Sequence, residues 1–105
     1  MTNKTLNRII NYIKIVADPE SIILFGSFAK GNNNLHSDID LLLIMEDVYF
    51  KNILVNQISH FISELSLRSD VLIHSKKEIE IANKDSFSFL GSIIKEGKII
   101  YTKLR

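Results

Sequence analysis

A single mixed α/β (α+β) domain, a mixed β-sheet packed with helices, is the fold class this sequence predicts, and three observations lead there. The first is size and composition: 105 residues, 46% hydrophobic and 24% charged, suit one globular core and argue against disorder. We expect one domain over residues 1–105. The second is the order of apolar patterns along the chain, which reads α β (α) β α β α α β. The third is what the chain lacks. There is no cysteine, which excludes disulfides, thiolate metal sites and cysteine nucleophiles. The longest apolar runs, Ile22–Phe25 and Leu41–Met45, fall far below the ~18 residues of a membrane span.

Each element has its own justification. Leu6, Ile9, Ile10, Ile13 and Val16/Ala17 recur at helical spacing, which predicts an amphipathic helix over about residues 3–17. Asp18-Pro19-Glu20 ends it, because the residue before proline avoids helical geometry. Ser21–Phe25 is a short apolar run between a turn and Gly26, and a buried strand fits it. Then comes a polar stretch with one helical turn at Ser27–Lys30. Asp38–Ile44 alternates acid and isoleucine before turning wholly apolar, a strand whose start faces solvent or ligand. Phe50, Ile53, Leu54, Ile58, Phe61, Ile62 and Leu65 set out the longest helix, over about 48–67. Arg68–Ser75 is a third strand, Lys77–Lys84 a weaker helix, and Ser86–Glu96 a helix closed by Gly97. Lys98–Thr102 is a last short strand. The Phe87-Ser88-Phe89-Leu90 stretch is expected in the core.

Charge and termini bound the function classes. Thirteen Lys+Arg against twelve Asp+Glu give a net charge of +1, which argues against a general nucleic-acid-binding surface. The opening MTNKTLNRII has no apolar core for a signal peptide, so the expectation is a cytoplasmic protein without a membrane association.

The informative segment runs from Gly26-Ser27 to Asp38-Ile39-Asp40. A strand that enters Gly-Ser and a helical turn presents backbone N–H groups to an anion such as phosphate. An ordinary N-cap serine after a turn glycine leaves the same trace. Asp38 and Asp40 are two apart on a strand, so both carboxylates project from one face. Hard oxygen donors of that kind suit Mg²⁺, although a solvated strand start with a turn aspartate also reads this way. Asp70 opens the next strand. If that strand lies beside Asp38–Ile44, three carboxylates gather opposite the Gly-Ser turn, as two-metal phosphoryl or nucleotidyl transfer requires.

Gly26-Ser27, ten intervening residues, then Asp38-Ile39-Asp40 resembles the signature of the nucleotidyltransferase superfamily that includes DNA polymerase β. GSFAKG is similar to the GSxARG form of its minimal nucleotidyltransferases, SDIDLLLI to their SDIDLLV strand, and EGKIIY to their C-terminal end. The resemblance spans nearly the whole chain. It implies a polymerase β-like fold and Mg²⁺-dependent transfer of a nucleoside monophosphate to an acceptor hydroxyl. By position, Gly26 and Ser27 would hold the β- and γ-phosphates, with Lys30 where the family commonly has Arg. Asp38 and Asp40 would bind two Mg²⁺ ions. Asp70 would bind the catalytic ion and help deprotonate the acceptor. Members of the minimal group typically pair with a HEPN-type ribonuclease toxin. The resemblance therefore implies an antitoxin that uses ATP to adenylylate a toxin tyrosine, in a hetero-oligomer with it. Two alternatives stand: an antitoxin that neutralises by docking alone, and nucleotidyl transfer to a small molecule such as an aminoglycoside. The short chain leaves little to enclose an acceptor, so the acceptor surface is expected from a partner protein.

The remaining candidates read as ordinary. His36 is a loop histidine near the presumed metals, His60 has no assigned role, and His74 ends a strand as a surface or edge residue. No histidine pair has zinc spacing. Lys95, Lys98, Lys103 and Arg105 form a solvated basic end. Tyr12, Tyr49 and Tyr101 are acceptors only in principle.

Overall fold

A computed structural model describes residues 1–33, 37–85 and 87–103. Leu35, His36, Ser86 and Arg105 lie outside the described residues. The first helix, α1 (Asn3–Ala17), begins where Thr2 accepts a hydrogen bond from the Thr5 N–H at 3.1 Å. It ends at Asp18, whose φ of 46° is left-handed. Ile9 and Ile13 are its fully buried contacts.

Next come β1 (Ser21–Phe25), α2 (Gly26–Lys30), β2 (Ile39–Met45), α3 (Lys51–Glu64) and β3 (Ser69–Ser75). The chain closes through α4 (Lys76–Asn83), α5 (Phe89–Glu96) and β4 (Lys98–Thr102). The element order is the one the sequence predicts. The sheet runs β3-β2-β1-β4, so β3 and β4 are its edges. β1 is antiparallel to both β2 and β4, whereas β2 and β3 are parallel and joined by the α3 crossover. The β1–β4 register shifts between Ile22 and Ile23.

Side chains alternate across the sheet, and each face has its own core. One face carries Ile22, Leu24, Ile39, Leu41, Leu43, Val71 and Ile73 against Ile9 and Ile13 of α1 and Ile58 and Ile62 of α3. Burying each such side chain fully contributes roughly 1.5–3 kcal/mol. The other face holds a smaller cluster, Ile23 and Leu42 with Ile79 of α4 and Ile93 of α5. Asp40 shares the parity of Leu42 and so stands on this second face.

Three expectations need correction. Phe50 and Ile53 are exposed rather than core. Phe50 is the N-cap of α3, with φ 53°, so it lies outside the helical register that would turn it inward. Phe87 and Phe89 are also exposed, at 98% and 69%. Ser88 caps α5 by accepting from the Gly91 N–H at 2.9 Å. The helix therefore starts at Phe89 rather than Ser86, and only Leu90, Ile93 and Ile94 reach the sheet. Gly97 does close α5, but in extended backbone, because β4 begins at the next residue.

Candidate active site

The site forms where β1 ends and β2 and β3 begin. Antiparallel pairing sets Phe25 opposite Asp40, so the chain leaves β1 directly beside that carboxylate. Gly26 takes a φ of 71°, which L side chains rarely adopt. A Cβ at this position would overlap the Asp40 carboxylate itself. The glycine is thus required twice, for its backbone angle and for the room it leaves.

The first turn of α2 follows. Its N-cap is Phe25, and no side chain caps it. Thr2, Ser75 and Ser88 do cap α1, α4 and α5. The reading of Ser27 as an ordinary N-cap serine is therefore overturned, since Ser27 lies inside the helix. The turn ends at Gly31, φ 75°, whose N–H returns to the Ser27 carbonyl. Lys30 occupies the last turn and lines a cleft of about 160 Å³ with Phe25, Gly26, Phe89 and Glu96.

Parallel pairing places Asp70 in register with Asp40 on the adjacent strand. Side chains of paired residues share a face, and Asp38 lies two residues before Asp40. Burial first, then the charges of Asp70 and Asp38, push the Asp40 carboxyl above its ordinary pKa. Asp38 and Asp70 are thus both close enough to act on Asp40. Asp38 itself meets a cation that the sequence reading did not single out. Its Oδ1 lies 3.2 Å from Nε of Arg68.

Among the described residues, no group of three or more His, Cys, Asp or Glu side chains is set to hold a metal ion as it stands. The donor set nevertheless fits Mg²⁺. That ion takes one or two carboxylates and fills its shell with water and substrate phosphate oxygens. Here two in-register carboxylates, one of them raised in pKa by burial and then by its like-charged neighbours, lie at the Gly26 turn, whose missing side chain leaves room for Asp40.

Other candidates lie elsewhere. His60 pairs with Glu64 at 2.7 Å on the exposed side of α3. His74, the last residue but one of β3, donates to Glu78 at 2.8 Å. The Tyr12 ring stacks on Phe61 with centroids 4.1 Å apart, and Lys14 sits 5.1 Å over the Tyr101 ring. Lys103 pairs with Asp18 at 2.9 Å.

Residues 7–105 match the family described as Polymerase beta, Nucleotidyltransferase. The chain belongs to this nucleotidyltransferase family. A Methanocaldococcus jannaschii relative, named as a protein adenylyltransferase, is 33% identical over 84 residues, 78% of each chain. Among solved structures, a chain of a toxin–antitoxin crystallised with AMP-PNP is 17% identical, with a TM-score of 0.66. It covers 98% of this chain and 75% of its own. A complex of tri-AMPylated Shewanella oneidensis HEPN toxin with MNT antitoxin gives a TM-score of 0.62 at 19% identity, over 98% of this chain and 74% of that one. These two likenesses bear on the fold. The nucleotidyltransferase has the mixed sheet and flanking helices of a polymerase β-like domain, and no helix among its described residues is long and apolar enough to cross a membrane.

Proposed function

We propose that this nucleotidyltransferase is a Mg²⁺-dependent protein adenylyltransferase and an antitoxin. It would transfer AMP from ATP to a tyrosine hydroxyl of a HEPN-type toxin, in the cytoplasm and within a complex of the two proteins. The observation that carries the reading is the in-register Asp40–Asp70 pair set against Gly26. A purely docking antitoxin needs no such crowding of like charge. The Methanocaldococcus relative and the toxin–antitoxin neighbours support a protein acceptor and a toxin partner.

In this mechanism Gly26 and Ser27 receive the β- and γ-phosphates through backbone N–H groups and the Ser27 hydroxyl, and Lys30 adds a positive charge beside them. Asp38, Asp40 and Asp70 would hold two Mg²⁺ ions, which when bound neutralise the charge that builds on the phosphates. Asp70 accepts the proton of the acceptor hydroxyl. The freed oxygen bonds to the α-phosphorus as the α–β bridging bond breaks, and pyrophosphate leaves. Positioning and charge neutralisation supply most of the rate. The test incubates the purified protein, Mg-ATP and the product of the neighbouring gene. An AMP-sized mass gain on a partner tyrosine is expected; no gain on the partner overturns the reading.

A further inference from the structure

Arg68 immediately precedes β3, and its carbonyl accepts the Ile39 N–H at 2.9 Å. That backbone bond pins Arg68 next to the residue preceding Ile39, which is Asp38. The guanidinium then reaches the Asp38 carboxylate at 3.2 Å. Asp38 is the member of the acidic trio that lies before β2 rather than within it. A carboxylate whose Oδ1 is turned to a guanidinium offers an incoming cation less negative charge and one oxygen already engaged.

We propose that Arg68 is an intramolecular counter-cation for Asp38 and competes with a divalent ion for that carboxylate. This rests on the reading of Asp38, Asp40 and Asp70 as the metal-holding acids and deepens it. Arg68 is then a positioning residue. It offsets like-charge repulsion among the acids and competes for the Oδ1 oxygen that a metal would otherwise share. Both side chains are partly exposed, at 69% and 48%, so the effect is modest, about two- to five-fold in metal affinity.

The test needs no turnover. Mn²⁺ is titrated into the nucleotide-free full chain and free ion is followed by electron paramagnetic resonance. The Arg68→Gln variant should bind Mn²⁺ about two- to five-fold more tightly than the parent. It should also gain more in melting midpoint when Mn²⁺ is added, since tighter binding to the folded state raises stability. Lys77→Gln makes the same change in net charge on α4 and should leave the Kd unchanged. Equal or weaker binding by Arg68→Gln overturns the proposal, as does an equal shift in both variants. Asp40→Asn separates the two levels. If it leaves Mn²⁺ binding untouched, the ion is not held by these acids and the reading of the site fails. If it weakens binding while Arg68→Gln changes nothing, the site stands and the role of Arg68 falls.

Discussion

At the far end of the parallel β2–β3 pair, on the face covered by α4 and α5, the polar groups named there have partners. Ser75 accepts from the Glu78 N–H and donates its own N–H to Glu78, both at 3.1 Å. His74 reaches the same carboxylate, and Lys76 lies 3.5 Å from Glu46. The His74 hydrogen bond first, then that of the Ser75 backbone, hold Glu78 below its ordinary pKa. At the near end the same two strands set Asp40 beside Asp70, and Asp40 is pushed the other way. One end of the strand pair is arranged for stability. The other crowds like charge around Asp40, with Arg68 countering Asp38 alone, the pattern expected where function opposes stability.

Neutralising the near end should sharpen this contrast most. Asp40→Asn is expected to lower adenylyl transfer by about 10²–10³-fold, measured as AMP incorporated under single-turnover conditions. The same change should raise the melting midpoint of the metal-free protein by a few degrees at pH 7. The sign follows from the raised pKa. Asp40 contributes stability when protonated, and that contribution is lost as pH rises through its folded value. The stabilisation by Asp40→Asn should therefore fade as pH falls into the ordinary carboxylate range. Glu78 has the opposite sign, its contribution being present above that range and lost as pH falls through its lowered value.

Gly26→Ala attacks the same end through shape rather than charge. The methyl would meet the Asp40 carboxylate, and φ 71° strains any L residue. A loss of about 1–3 kcal/mol is expected in urea unfolding, together with weaker ATP binding in calorimetry. Ser75→Ala should be the mildest change. Removing the cap hydroxyl costs about 0.5–2 kcal/mol in the same unfolding assay, and transfer activity should match the parent. Lost activity there would break the division between the two ends.

Much of the near end was legible because it is local. Gly26, Ser27, Asp38 and Asp40 lie within fifteen residues, and the alternation along the strand sets Asp40 on the face opposite Ile39 and Leu41, while Asp38 falls just before the strand. Asp70 could be anticipated from a strand–helix–strand order that favours parallel neighbours, though its in-register place beside Asp40 is a property of the folded sheet. Arg68 carried no signal, since its pairing with Asp38 spans the whole α3 crossover. The outward turn of Phe87 and Phe89 was equally hidden. Their composition reads as core, and one capping serine moved the start of the helix past them.

Asp70 stands on β3, and β3 is an edge of the sheet. An edge strand offers unpaired backbone groups to any other strand, and a charged side chain on it discourages such pairing. The opposite edge, β4, has a register shift against β1 and an exposed Lys98 that serve the same end. On β3 the central run Val71-Leu72-Ile73 is wholly apolar, and Asp70 is the acid that flanks it. The residue proposed to deprotonate the acceptor thus also stands where a flanking charge opposes edge-to-edge pairing. A lineage that lost the chemistry would still be under pressure to keep a charge at this position, so its persistence in a relative would not by itself prove that the relative is active.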